Sequence, residues 1–472
     1  MPMSLEVIIE QGLVRLLGKL LVLVMVLGAQ NGPRDQARSV LKELIEIDTT
    51  ALAGDNTAAA EAMARRLRAA GFAAADVEVI VPAAKKGNVV ARLRGTGGGR
   101  PVLFLAHLDV VEARRDEWTM DPFRLNEKDG YFYGRGTQDI KGDAALLVTN
   151  FIRLKQEGFR PQRDLILALT ADEENGGQGS VNGVQWFLDH RRSLIDAQFC
   201  VNTDSGGGQA RQGERLLFAL QAAEKAYLSV VLRATNPGGH SSMPRPENAI
   251  YDLATALMKI RELQFPVDLN EVTRAYFSRT AGLKNAPAAA DRKSVSKSPP
   301  DQNAAARLST SPYENALLRT TCVATMLSGG HAENALPQTA EATVNCRVLP
   351  GEIQASVVDR IRATVGPTID IRTKIQMEPT IVYPLPQPLL TRVQGVVQSI
   401  WPGLPVVPVM ETGGTDGEKL RRAGIPTYGV CQIFADLDDI RAHGRDERIR
   451  TEYFYEGLEF GYRLMKELSR PF

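Results

Sequence analysis

Between residues 35 and 48 apolar side chains recur every three or four positions, with Val40, Leu41, Leu44 and Ile45 on one face. That spacing predicts an amphipathic helix. Asn56 reads as the N-cap of a second, alanine-rich helix that runs to Ala70 and stops at Gly71. From Val77 onward the pattern changes to short apolar runs separated by helical stretches. It predicts strands over 102–106, 165–170 and 199–202, with helices over 143–156 and 184–190. Strands alternating with helices define an α/β sheet with parallel strands. The glycine-rich run 95–99 lies between two strands, with Pro101 opening the next and no helix after it. It therefore reads as a hairpin turn and not as a phosphate loop.

From about residue 223 the texture alters. Residues 228–233 alternate like a strand, 247–263 read as a helix and 341–348 as another strand. Residues 284–306, rich in Ala, Pro, Ser, Lys and Asp, are expected to bury little surface and to be mobile. Beyond residue 379 the α/β pattern resumes, with a helix over 389–400, a loop over 411–417, a strand over 427–433 and a closing helix near 455–468. The simplest arrangement is one α/β domain formed by 33–222 and 378–472 and interrupted by a smaller inserted α+β domain, 223–377. The chain carries no internal repeats.

Composition narrows the class. A length of 472 residues suits two or three domains, and 44% hydrophobic with 24% charged residues excludes wholesale disorder, collagen and coiled coil. A net charge of +1 argues against a nucleic-acid-coating partner surface. Four cysteines without a C-x-x-C pair exclude a disulfide scaffold and a zinc-thiolate knuckle. The N-terminus is distinct: residues 20–27 are all apolar, preceded by Arg15 and Lys19 and followed by Gly28-Ala29-Gln30. This reads as a signal peptide over 1–29, giving export to the periplasm or beyond, or a membrane anchor if it is uncleaved. It is too short for a membrane span, and no later segment could form one. Export would allow disulfides, yet Cys200 and Cys431 lie in strand-like apolar runs and read as buried free thiols.

The candidate chemistry sits at strand ends. His107 closes the 102–106 strand, and Asp109 follows at i+2, on the same face of an extended chain. A ligand histidine commonly donates its other ring N–H to a carboxylate, which this spacing offers. Asp139 lies in Gly134-Arg135-Gly136-Thr137-Gln138-Asp139, just before a helix, where an N-cap is the plain alternative. Asp172, Glu173 and Glu174 follow the 165–170 strand, and three adjacent acids there repel unless a cation or proton intervenes. Asp204 follows the 199–202 strand, and His443 follows the last one. The C-terminal edge of a parallel sheet is where α/β enzymes place ligands. His107, Asp139, Glu174, Asp204 and His443 form a nitrogen–oxygen donor set suited to two divalent metal ions, zinc above all, with cobalt or manganese as substitutes.

These motifs resemble the co-catalytic di-zinc metallopeptidase family of aminoacylase, carboxypeptidase S, glutamate carboxypeptidase and acetylornithine deacetylase, from about residue 36 to the C-terminus. The resemblance implies a zinc-peptidase-like α/β catalytic domain with an inserted lid and dimerisation domain. It implies His107 and Asp204 on one metal, Glu174 and His443 on the other, and Asp139 bridging, followed by a cis peptide. Glu173 becomes the general base and Asp109 the group that orients His107. His240, in Gly238-Gly239-His240-Ser241-Ser242, would stabilise the oxyanion, often from a partner subunit of a homodimer. Asn334 and Arg347 would read a substrate carboxylate, and Gly414, in Gly413-Gly414-Thr415-Asp416-Gly417, would let the substrate backbone approach. The implied reaction is hydrolysis of an amide next to a free carboxylate, in a small peptide or an N-acyl amino acid. His190 and His331 receive no role.

Overall fold

Three of the apolar runs, Val102–His107, Leu165–Thr170 and Phe199–Asn202, are buried at every position, as strands covered on both faces must be. The computed structural model describes residues 32–175, 179–283 and 288–472; the segment read as a signal peptide lies outside them. These strands form the centre of a ten-stranded mixed sheet, in the spatial order Asn88–Leu93, Leu165–Thr170, Val102–His107, Phe199–Asn202, Thr427–Gly429. The last four of these run parallel, and Asn88–Leu93 is antiparallel to its neighbour. The C-terminal ends of four strands therefore open on one edge.

Helices cover the faces. Pro33–Glu46 buries Ala37, Val40, Leu41, Leu44 and Ile45, the stripe read from the spacing. Asn56–Ala69 follows, but its cap is Asp55, whose carboxylate accepts the Ala58 N–H at 3.1 Å. Asn56 is already helical and buried, so the cap falls one residue earlier than expected. The run 95–99 is not a hairpin. Asn88–Leu93 and Val102–His107 both pair with Leu165–Thr170, which lies between them, so the connection must pass over the start of a third strand. Gly95 makes that passage feasible: a Cβ there would stand 2.5 Å from the Arg163 carbonyl carbon. The strand expected over 427–433 ends at Gly429, after which the chain turns to bond Ser205 and Asp143.

A second, four-stranded antiparallel sheet has the order Thr321–Gly329, Thr339–Val348, Ala226–Thr235, Asp370–Ile375. Helices Ala249–Glu262 and Gln354–Val365 share its separate hydrophobic core. Cys322 and Cys346, paired across this sheet, form a disulfide, whereas Cys200 and Cys431 are free thiols. Residues 288–306 are ordered against expectation. They form helices Ala289–Val295 and Gln302–Leu308, whose Val295, Ala304, Ala305 and Leu308 join the large core along with Phe277 and Leu317. The composition is polar, yet a few alanines and one leucine on a helical stripe suffice for docking. The segment between Leu269 and Leu318, expected within the smaller domain, thus packs back onto the larger one. No helix among the described residues is long and apolar enough to cross a membrane.

Candidate metal centre

His107, Glu173, Glu174 and Asp204 stand at or just beyond the C-terminal ends of the parallel strands, so the sheet converges four of the expected residues. Asp139 arrives on the loop before helix Lys141–Gln156. It is no N-cap: Ile140 occupies that position, and the Asp139 carboxylate faces His107 Nε2 at 3.2 Å and His443 Nε2 at 3.0 Å. The Asp139–Ile140 peptide is cis, as the resemblance implied. His443, more than half exposed, also meets Glu174 at 2.7 Å, and His107 Nε2 lies 3.7 Å from Asp204.

Three sets of side chains have donor atoms close enough to hold an ion: His107, Asp139 and Asp204; Asp139, Glu174 and His443; and His107, Glu173 and Glu174. The first two share Asp139, the arrangement expected for one carboxylate serving two ions. Among the described residues no lysine or arginine pairs with Asp139, Glu173, Glu174 or Asp204. Four acids crowded without a fixed cation fit a site that takes divalent ions.

The electrostatics reflect that crowding. Burial opposes the charge on His107, yet Asp139 and Asp204 hold its pKa well above the usual value. Burial pushes Asp204 up to about 7, against the pull of His107. Burial, reinforced by the Asp204 charge, raises Glu173 well above the carboxylate range. Hydrogen bonds donated by its ring to the Asp139 and Glu174 carboxylates lift the pKa of His443 to about 10.

Asp109 does two things. Its carboxylate lies 3.7 Å from His107 Nδ1, which sits nearer, at 3.0 Å, to the Asp109 carbonyl. It also accepts the N–H groups of Glu173 at 3.1 Å and Glu174 at 2.9 Å, fixing the acidic turn. Asp172 holds that turn from behind at φ +58°, a left-handed conformation unusual for a non-glycine residue. Its buried carboxylate pairs with Lys86 at 2.6 Å and accepts the Val181 N–H at 2.8 Å.

The remaining expected residues lie apart from this cluster. Strand Gly239–His240 pairs with Ala335–Leu336, which sets exposed His240 opposite Ala335 and bonds the Ser241 N–H to the Asn334 carbonyl at 3.0 Å. His240 and Asn334 are thus neighbours, although 94 positions separate 240 from 334 in the sequence. Half-buried Arg347 stacks on Tyr227, its guanidinium 4.6 Å from the ring centre. Gly414 is exposed, but the loop that carries it is anchored at the sheet edge. The Asn202 amide donates to Thr415 Oγ1 at 3.1 Å, and the Asn182 amide to Asp416 at 2.7 Å. Among the described residues no hydrogen bond or ion pair joins His240, Asn334, Arg347 or Gly414 to the metal cluster. Sequence reasoning missed Lys86, Asp416 and the buried Glu447; Asp416 stood inside the quoted Gly413–Gly417 run and Glu447 four positions after His443, but nothing in their spacing marked them.

An α/β protein that gathers histidines and carboxylates at the edge of its parallel strands has the build of a metal-dependent hydrolase. Residues 103–467 match the model of Peptidase family M20/M25/M40, and the chain belongs to that family. It is 29% identical over 387 residues to a probable carboxypeptidase S-like protein of Dictyostelium discoideum, covering 79% of this chain and 72% of that one. It is 27% identical over 374 residues to the N-fatty-acyl-amino acid synthase/hydrolase of Xenopus tropicalis, covering 78% and 72%. In fold it resembles an M20 metallo-carboxypeptidase of Sulfolobus solfataricus, with a TM-score of 0.65 and 17% identity over 92% of this chain and 99% of that one.

Proposed function

We propose that this protein hydrolyses an amide bond next to a free carboxylate, as a metallo-exopeptidase of carboxypeptidase or dipeptidase type. The observation that carries this reading is the pair of donor sets sharing Asp139, with the Glu173 carboxylate beside them and free of any hydrogen bond among the described residues. His107 and Asp204 would hold one divalent ion, Glu174 and His443 the other, and Asp139 both. Two such ions, zinc being the natural choice for this nitrogen–oxygen donor set, would supply Lewis acidity to polarise the carbonyl and acidify water.

 Glu173 accepts the proton of the attacking water and returns it to the leaving amine, so the proton balance closes on one side chain.

The Ser242 N–H donates to His240 Nδ1 at 3.2 Å, and the Ser242 hydroxyl lies 2.8 Å from the same nitrogen. An Nδ1 that accepts leaves the neutral ring's proton on Nε2, where it can be donated to a developing oxyanion. Arg347, over the Tyr227 ring and without an acidic partner among the described residues, suits a bidentate contact to the substrate carboxylate; Asn334, next to His240, is the second residue assigned to that carboxylate. Gly414, on its anchored loop, leaves room for the substrate backbone.

The likeness to N-fatty-acyl-amino acid hydrolases favours a second reading, deacylation of N-acyl amino acids. One panel separates the two: dipeptides, N-acetyl and N-long-acyl amino acids, each with a free or amidated carboxylate, assayed with zinc, cobalt and manganese. The exopeptidase reading expects the highest kcat/KM on free-carboxylate peptides, with Arg347→Ala harming these far more than their amides. Higher kcat/KM on N-acyl amino acids selects the second reading, and indifference to the carboxylate removes the role of Arg347.

A further inference from the structure

Glu447 is an acid four positions after His443, and its side chain is fully buried. A carboxylate in that setting is costly unless it is hydrogen-bonded and paired. One oxygen accepts from the Arg135 guanidinium at 2.6 Å and from the Gly136 N–H at 3.0 Å. The other accepts from the N–H groups of Gln138 at 2.7 Å and Asp139 at 3.1 Å. One carboxylate therefore closes on four donors of a single short segment, the one that delivers Asp139.

The donors are themselves held. The Arg135 guanidinium lies 5.1 Å from the Trp118 ring centre and donates to the Glu112 carbonyl at 3.4 Å. Gly136, at φ +90°, lets the segment curl round the carboxylate, since a Cβ would stand 2.9 Å from both Val110 and Lys141. Two more bonds tie the same stretches together: the Gly134 N–H to the Glu447 carbonyl at 3.1 Å, and the Arg441 N–H to the Gln138 side-chain oxygen at 2.8 Å. The segment on one side carries the acid common to two donor sets; the segment on the other carries His443.

A further acid beside the cluster is unfavourable, because burial first, and then the Asp139 charge, oppose ionisation of Glu447 against the pull of Arg135. What offsets this is geometry. An ionised carboxylate offers acceptor sites on both oxygens, whereas an amide would turn N–H groups towards N–H groups.

We propose that Glu447 is a positioning residue for metal binding: it holds the Asp139 and His443 loops in register, so that one carboxylate can serve both ions. This rests on the metal-dependent reading above. The test uses the full chain, stripped of metal and titrated with zinc against a chromophoric chelator. Wild type is expected to take two equivalents. Glu447→Gln is expected to bind at least one of them about 10–100-fold more weakly, the usual effect of losing a partner behind a ligand. Glu447→Asp, which keeps the charge but is one methylene too short to span all four donors, is expected to fall between.

Glu314→Gln serves as the control, because it breaks the Arg292–Glu314 pair in the helices of the 289–318 region. It is expected to lower Tm and leave both zinc affinities unchanged. Wild-type zinc affinities in Glu447→Gln, or losses matched by Glu314→Gln at equal Tm, would overturn the proposal. Should Glu447→Gln not fold, unchanged affinities in Glu447→Asp overturn it as well. A wild-type chain that takes up no zinc removes the metal-dependent reading and this inference together.

Discussion

Glu173 and Glu174 are adjacent acids with different surroundings. Glu174 meets His443 at 2.7 Å, while the Glu173 carboxylate has no hydrogen-bond partner among the described residues. Both backbone N–H groups are bound by Asp109, so the two side chains diverge from a fixed turn. Replacing Glu173 by Gln preserves size and leaves that backbone anchor intact. The expected outcome is kcat lowered by about 10²–10⁴ with zinc content and Tm near wild type, read by steady-state kinetics, elemental analysis and calorimetry. Near-normal kcat would remove Glu173 from proton transfer. At this scale the sequence was highly legible, because strand ends and clustered acids mark chemistry without reference to any contact. Glu447 was not legible, because its four donors lie about 310 positions upstream.

Among the elements, the joins between the two cores carry the least expected chemistry. Strand Glu214–Glu224 belongs to the large sheet and Ala226–Thr235 to the small one, and Lys225 alone separates them. Its ammonium is buried and donates to the Ala316 carbonyl at 2.8 Å and the Arg319 carbonyl at 2.7 Å, on another connection between the cores. One side chain thus staples two crossings. Burial lowers its pKa from 10.5 to about 7.

The sign of the resulting pH dependence follows. Below about pH 7 both folded and unfolded chains carry the charge, and the burial cost is present in full. Between about 7 and 10.5 the unfolded chain binds more protons, so stability rises with pH by up to about 1.4 kcal/mol per unit. Lys225→Met lacks this contribution. Calorimetry across that range should show the wild type gaining on the variant as pH rises. Parallel profiles would mean that the oxygen acceptors fully stabilise the buried charge.

For the whole molecule, the small domain presents an edge strand, Thr321–Gly329, whose Val323, Met326 and Leu327 are exposed, near exposed Tyr251 and Met258 of helix Ala249–Glu262. An unpaired apolar edge of this kind favours pairing with a second copy about a two-fold axis. We propose a homodimer in which His240 of each chain serves the other chain's metal cluster. His240→Ala is expected to cost roughly 10²–10³ in kcat, as for loss of one oxyanion donor. The two nearly inactive variants, His240→Ala and Glu173→Gln, are refolded together. Sharing between subunits assembles one intact site per mixed dimer and restores part of the activity. Mixed dimers without recovery would show that His240 does not act across the subunits.

The sequence by itself determined the central strands, the helix stripes and the residues gathered in the candidate metal cluster, because each depends on local order. An apolar run buries itself as a central strand, a three-to-four repeat makes one helix face, and a strand's end fixes where its next residue emerges. The turn 95–99 and the segment 288–306 escaped that logic. Whether two strands are neighbours depends on a third strand, Leu165–Thr170, that inserts between them although Leu165 lies 63 positions beyond its partner Val102 and 72 beyond its partner Leu93. Whether a polar, alanine-rich stretch docks depends on the surface it meets, here the large core beside Phe277 and Leu317. Only the tertiary structure could decide these, and with them the clamp of Glu447 on the Asp139 loop. Hydrogen bonds and packing between distant segments leave no periodic trace in either segment alone.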